Sequence, residues 1–339
     1  MNLEALLADS LFTRREWLKH GALLGTSMGT IGCSMAASRG GEDPAGAGGA
    51  YESTEGEKAL AGKKALSAEK APAGGQTLQR SAKRHDMKKS INLWAFPYPQ
   101  SMSLEDCFRL AGKAGFDAVE VNYNLQGDIS PAAGEEDLAR IRGLADKAGV
   151  RLSGLCSFLF WPYPLTSSSE ATRRRALELA GLMTEAAHHL GTENLLIVPG
   201  AVYIPWLKDS EEVPYKVCDE RARAAVRQLL PAAEKLGVYL NVENIFFNAY
   251  LMSPPDLIEF VDSFKSPYVR VHFDTGNIMP LQFPEHWIPM LGKRIQNVHL
   301  KEYSKKGTDM SLEAFRPLLD GTTDWPVVME VLRPATMRG

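Results

Sequence analysis

Residues 237–243 read Gly237-Val238-Tyr239-Leu240-Asn241-Val242-Glu243, a glycine, a short β-rich run and a closing carboxylate. Longer amphipathic stretches flank them at 215–236 and 254–264. A glycine after a helical run can take the left-handed conformation that ends a helix, and the alternating Val, Leu and Val suit a buried strand. The unit is therefore helix, glycine stop, strand, polar tip, helix. Working outward, the same pattern recurs. Strands are predicted at Ile91–Phe96, Ala118–Asn122, Arg151–Ser157, Asn194–Val198, Val238–Glu243, Val269–Asp274 and Ile295–Leu300. Helices are predicted near 103–114, 135–148, 170–190, 215–236, 254–264, 284–292 and 324–333, with Gly115, Gly149, Gly191 and Gly237 as stops. Alternating strands and helices imply a parallel sheet with crossover helices.

The first strand is followed by Trp94-Ala95-Phe96-Pro97, not by a Gly-rich phosphate turn, which disfavours a dinucleotide-binding sheet. Residues 88 to 339 are close to the ~250 of a (β/α)₈ barrel. The prediction is a TIM-type (β/α)₈ barrel with seven strands legible and the eighth lacking. In such barrels chemistry sits at the C-terminal strand ends. Three successive strands end there in Glu243, in Asp274 and in His299. Singly, an Asp before Thr-Gly is a turn or cap and a His in a strand is a core residue. Their coincidence on consecutive strands points to a ligand set for a divalent ion, Mn²⁺, Zn²⁺, Co²⁺ or Mg²⁺.

The strings Val242-Glu243-Asn244, His272-Phe273-Asp274-Thr275-Gly276-Asn277 and Asn297-Val298-His299-Leu300-Lys301-Glu302 resemble the xylose isomerase-like sugar phosphate isomerase/epimerase superfamily. So do Leu195-Leu196-Ile197-Val198-Pro199-Gly200 and Gly321-Thr322-Thr323-Asp324-Trp325-Pro326, and the likeness covers roughly residues 90 to 333 in order. The resemblance implies Glu243, Asp274 and His299 as metal ligands, Glu243 also as the catalytic carboxylate, and Glu120, Asn277 and Lys301 near the substrate. It implies an isomerase or epimerase acting on a ketose or sugar phosphate through an enediolate. Many relatives carry His where this chain has Asn277; an amide can bond a sugar hydroxyl but cannot shuttle a proton.

The resemblance also calls for a fourth ligand, a glutamate on strand eight. Two readings of residues 324–333 compete: a seventh helix started by Asp324-Trp325-Pro326, or a strand Val327–Val331 that would offer Glu330. The helix is the reading taken here, because Asp-Trp-Pro is a good helix start. It leaves the barrel with an open seam, a site short of one ligand, and an exposed strand edge of the kind that invites homo-oligomers. It also predicts weak metal binding and little or no epimerase activity for this polypeptide; full turnover would point instead to Glu330 or a partner subunit as the source of the missing ligand.

The N-terminus reads as an address. Arg14-Arg15 precedes an uncharged run from Gly21 to Gly32, too short to span ~30 Å of hydrocarbon, and the segment resembles a twin-arginine export signal, with periplasmic or membrane-anchored residence. Thr30-Ile31-Gly32-Cys33 resembles an imperfect lipobox, so Cys33 is either a lipid anchor or incidental to a cleaved signal. The organisation read here is signal 1–33, an Ala/Gly/Ser-rich linker 34–87 unable to offset its ordering entropy, and barrel 88–339. A net charge of −3 supplies no general attraction to nucleic acid. Of four cysteines without CxxC spacing, Cys33 belongs to the signal, and the three left for the folded part argue against a full disulfide framework.

Aromatic residues Trp94, Phe96, Tyr98, Phe158, Phe160, Trp161 and Tyr163 line either a sugar or the barrel end, and both readings stand. Adjacent His188-His189 lack ligand spacing, and Arg173-Arg174-Arg175 reads as a solvated face. Two further classes remain: a catalytically impaired tethered sugar-binding lipoprotein, and an endonuclease IV-like nuclease, which shares the fold but needs ligands that strands one, three and four do not offer.

Overall fold

The computed structural model describes residues 87–205, 207, 210–245, 248–306 and 312–336. The signal expected at 1–33 and all but Met87 of the linker expected at 34–87 lie outside the described residues.

Seven parallel strands form one sheet in sequential order. They are β1 (Ser90–Asn92), β2 (Ala118–Asn122), β3 (Arg151–Cys156), β4 (Asn194–Ile197), β5 (Tyr239–Glu243), β6 (Val269–Asp274) and β7 (Ile295–His299). Between them run α1 (Leu104–Lys113), α2 (Glu135–Lys147), α3 (Glu170–Leu190), α4 (Tyr215–Leu236), α5 (Pro254–Asp262) and α6 (Pro284–Leu291). Serine side chains at positions 103, 169 and 253 cap α1, α3 and α5 by accepting N–H bonds. Gly115, Gly149, Gly191 and Gly237 all have φ between 70 and 82°, the left-handed stops read from the sequence. This is a TIM-type α/β barrel lacking one strand.

Strand alternation divides the side chains into two sets. Val119, Val121, Leu240, Val242, Val271 and Phe273 are fully buried in one core with Phe108 of α1, Ile141 of α2, Leu179 of α3, Val226 of α4, Phe260 of α5 and Trp287 of α6. The intervening positions, Glu120, Asn122, Asn241, Glu243, His272 and Asp274, are polar and also buried. Burying that many polar groups is costly unless they pair or serve a ligand.

Among the described residues β7 pairs with β6 alone and β1 with β2 alone. All but one residue of β7 and every residue of β1 retain some exposure, whereas β2 and the inner ends of β3 to β6 are buried. A seam therefore opens between the first and last strands. Residues 325–336 form helix α7 (Trp325–Thr336), packed on α6 and β7. The strand alternative for Val327–Val331 is thereby corrected: Glu330 stands exposed on a helix, since Val328 and Leu332 turn its opposite face into the core.

Two differences from the sequence reading arise from side-chain bonds. The first strand stops at Asn92, not Phe96, because the Asn92 carboxamide accepts the Trp94 N–H at 2.8 Å and turns the chain into a 3₁₀ turn at Leu93–Ala95. An unforeseen hairpin, β8 (Glu302–Tyr303) with β9 (Phe315–Arg316), follows β7. It is fastened by Glu302, whose carboxylate accepts from Tyr303 N at 3.0 Å, Leu319 N at 3.2 Å, Thr323 N at 3.1 Å, Thr323 Oγ1 at 2.6 Å and Trp325 Nε1 at 2.5 Å. A Cβ on Gly321 would lie 2.2 Å from that carboxylate, so any larger residue there would push Glu302 out of its clamp.

Candidate active site

The polar strand ends converge. Asp274 pairs in register with His299, and Glu243 with His272. The β6–β7 register slips between Val271 and His272, and the β2–β3 register slips between Val119 and Glu120; bulges of this kind re-aim side chains beside a site.

His299 is the hub. Its Nε2 lies 2.7 Å from Glu120 Oε2, and its Nδ1 lies 3.5 Å from Glu243 Oε1 and 3.7 Å from Asp274 Oδ2. Burial alone would favour the neutral ring. The carboxylates around it, Glu120 foremost, outweigh burial and raise its pKa well above the usual histidine value. Reciprocally, the His299 charge and hydrogen bond overcome burial at Glu120 and bring its pKa down to about 2.

Glu120 is fixed from behind. Asn92 Nδ2 donates to it at 2.6 Å, and because Asn92 Oδ1 accepts from Trp94 N, the amide can face Glu120 only with its NH₂. Asn122 Nδ2 donates in turn to Asn92 Oδ1 at 3.3 Å and to Cys156 Sγ at 2.9 Å.

The two oxygens of Asp274 differ. Oδ1 accepts the backbone N–H groups of Gly276 (2.9 Å) and Asn277 (3.0 Å), while Oδ2 meets Lys301 Nζ at 2.6 Å and makes no well-aligned hydrogen bond. Against burial, the Lys301 ammonium holds this carboxyl well below the usual carboxylate range, and Asp274 and Glu243 raise the Lys301 pKa. Glu243 behaves oppositely. Its partner, Asn277 Nδ2, is distant at 3.5 Å, and burial, reinforced by the Asp274 charge, raises its pKa.

The structure thus brings together all six residues singled out from the sequence. Asn277 is buried and donates to Asn244 O at 3.0 Å as well as facing Glu243, and Lys301 is turned inward to Asp274. It adds residues the sequence reading passed over: Asn92, Asn122, Cys156 and His272. His272 was recoverable, since it stands two residues before Asp274 on the same strand face. Its ring meets the His299 ring at 4.0 Å between centroids, both its nitrogens are buried without a hydrogen bond, and burial depresses its pKa to about 3.

Glu243, Asp274 and His299 offer ligand atoms within 4.8 Å of one another, two carboxylate oxygens and an imidazole nitrogen. Asp274 Oδ2 and His299 Nδ1 are buried and make no hydrogen bond, so the donor set fits a divalent cation such as Mn²⁺, Mg²⁺, Co²⁺ or Zn²⁺. Glu120, His272 and His299 form a second such group. Elsewhere the bland readings hold: His188 Nδ1 lies 2.9 Å from Leu236 O, and Arg174 and Arg175 pair with Glu170 and Glu178 on the surface of α3. The aromatic residues at the ends of β1 and β3 all pack on the main core, with Phe160, Trp161 and Tyr163 buried in it.

A curated relative, a 2-epi-5-epi-valiolone 7-phosphate 2-epimerase of Actinoplanes sp., is 27% identical over 180 residues, 53% of this chain and 60% of that enzyme's length. The fold is similar to that of a D-psicose 3-epimerase from Clostridium cellulolyticum H10 (TM-score 0.60, 19% identity, 75% of this chain and 83% of that one). It is likewise similar to a 3-keto-D-glucoside 4-epimerase from E. coli (TM-score 0.57, 16% identity, 75% and 89%). Residues 108–339 match the model of the xylose isomerase-like TIM barrel, more than half of the sequence, and the chain belongs to that family.

Proposed function

We propose that this chain is a divalent-metal-dependent isomerase or epimerase of a ketose or sugar phosphate. The observation that carries the proposal is the convergence of Glu243, Asp274 and His299, with His299 Nδ1 buried and without a well-aligned hydrogen bond and Asp274 Oδ2 turned to the Lys301 ammonium at 2.6 Å. Glu243, Asp274 and His299 would hold the ion. When bound, it supplies Lewis-acid polarisation of a carbonyl and its neighbouring hydroxyl.

The chain's own residues do the rest. Glu243 takes the proton from the carbon next to the carbonyl: its contacts with Asn277 Nδ2 and His299 Nδ1 are both long, at 3.5 Å, which leaves the carboxylate available to a substrate. Returned by Glu243 to the neighbouring carbon, that proton gives an isomer; an epimer would require a second acid, on the opposite face, to protonate the original carbon. Glu120 accepts the His299 Nε2–H, which fixes the tautomer that leaves Nδ1 free as a ligand. Asn277 holds Glu243 in place and offers its amide to a sugar hydroxyl. The epimerase names of the relatives support the substrate class. Export by the twin-arginine route belongs to the same proposal, on the reading of residues 13–33.

Incubating the metal-loaded full chain in D₂O with a panel of ketoses and ketose phosphates tests this. Deuterium should enter at the carbon next to the carbonyl, though only slowly, because the described residues bring three of the four ligands the resemblance calls for, with a Glu243→Gln variant inert. A metal-loaded chain that exchanges no proton on any of them but binds sugar would favour the tethered binding protein; cleavage of abasic DNA would favour the nuclease.

A further inference from the structure

Lys301 occupies a built position. Its N–H donates to Thr275 Oγ1 at 2.9 Å, and the same hydroxyl donates to its carbonyl at 2.9 Å. Gly276 clears its stem, since a Cβ there would come within 2.7 Å of Lys301 Cβ. So held, Nζ reaches Asp274 Oδ2 at 2.6 Å, with the lysine side chain 17% exposed and the aspartate side chain not exposed at all.

That oxygen is the one ligand atom Asp274 has left, because Oδ1 is committed to the N–H groups of Gly276 and Asn277. An ammonium and a divalent ion thus claim the same buried oxygen. Like charges in such a place repel strongly, the more so because little water screens them. Neither Asp274 nor Glu243 has another lysine or arginine within salt-bridge distance among the described residues.

Resting on the metal site proposed above, we infer that Lys301 is an internal counter-ion that competes with the metal and sets its affinity: binding requires the ammonium to leave Asp274 Oδ2. Lys301 is a positioning and specificity-determining residue, not a catalytic one. In the metal-free protein it neutralises the acidic cluster; in the metal-loaded protein its side chain is released from Asp274 toward solvent.

Manganese titration calorimetry on the stripped full chain tests this with wild type, Lys301→Met and Lys301→Arg. Lys301→Met should bind Mn²⁺ tighter by roughly tenfold or more, because the competing charge is gone, and its metal-free form should melt lower than wild type. Lys301→Arg should not tighten binding. In wild type alone, reductive methylation followed by peptide mapping should modify Lys301 slowly without metal and faster at Zn²⁺ saturation, with other lysines unchanged. Equal or weaker Mn²⁺ binding by Lys301→Met, or methylation of Lys301 indifferent to metal, overturns the inference while leaving the metal site standing. Absence of Mn²⁺ and Zn²⁺ binding by every form overturns the metal site and this inference with it.

Discussion

Replacing Glu120 by glutamine should change metal affinity in a pH-dependent way, and the two effects involved have opposite signs. Glu120 Oε2 receives His299 Nε2 at 2.7 Å and is itself held by Asn92 at 2.6 Å, so the carboxylate orients the ring and secures its tautomer. Losing such a supporting carboxylate typically weakens a metal site about 10- to 100-fold, or about 1.4 to 2.7 kcal/mol. Yet Glu120 also heads the causes that lift the His299 pKa, and a metal must displace the His299 proton before it can bind Nδ1. Each unit by which that pKa exceeds the working pH costs wild type about tenfold in apparent affinity, a cost the neutral amide relieves. At alkaline pH, where His299 is deprotonated in both proteins, only the orientation loss remains, and the variant should bind about 10- to 100-fold more weakly. As pH falls toward neutral the gap should narrow, because the protonation cost is larger in wild type, where Glu120 adds to the pull of Asp274 and Glu243 on the His299 proton. Zinc or manganese titration calorimetry across that range measures it. A gap that is absent at alkaline pH, or that widens as pH falls, would refute the role given to Glu120.

Three further outcomes follow from the same geometry. Glu120 has a folded pKa of about 2, below the ordinary carboxylate value of 4.5, so its stabilisation is present above 4.5 and is lost as pH falls through about 2; acid titration of unfolding free energy should show a loss of about 3 kcal/mol in wild type that Glu120→Gln does not show. Glu302→Ala strands five donors, but Leu319 is exposed and Trp325 partly so, leaving water to replace some of those bonds. A cost of about 3 kcal/mol is expected, read as a lowered urea midpoint, and a change within about 0.5 kcal/mol, ordinary for a surface site, would contradict the clamp. The thiols of Cys107, Cys156 and Cys218 are all buried, with burial pushing Cys107 up to about 11 and Cys218 up to about 12. Iodoacetamide followed by peptide mapping should label none of the three until urea unfolds the chain.

Much of the architecture was legible because each βα repeat carries its own local signals. Gly191 and Gly237 end long helices, and the runs at 118–122 and 269–274 begin and end as strands where their apolar alternation does. What misled the reading was side-chain hydrogen bonding, which apolar periodicity does not record. Ile91–Phe96 looks continuous as a strand until the Asn92 carboxamide captures Trp94 N. The β8–β9 hairpin has no period at all and exists because Glu302 reaches across to Thr323 and Trp325.

The site shows the same division. Glu243, Asp274 and His299 could be found because each is a polar residue closing an apolar strand, a pattern visible one strand at a time. The chain Asn122 to Asn92 to Glu120 to His299 could not, because it runs from the opening strands to the last one and depends on the sheet curling until β2 faces β7. That closure also explains how a sheet with an unpaired edge keeps its charged cluster together. Glu120 and His299, 179 positions apart, form a part-buried hydrogen-bonded ion pair across the sheet's interior where, among the described residues, no strand pairing joins the two ends. The pair positions a ligand and ties the curl at once, so loss of Glu120 should loosen β7 as well as weaken the metal, and amide exchange at Val298 and His299 in Glu120→Gln is where that loosening would register.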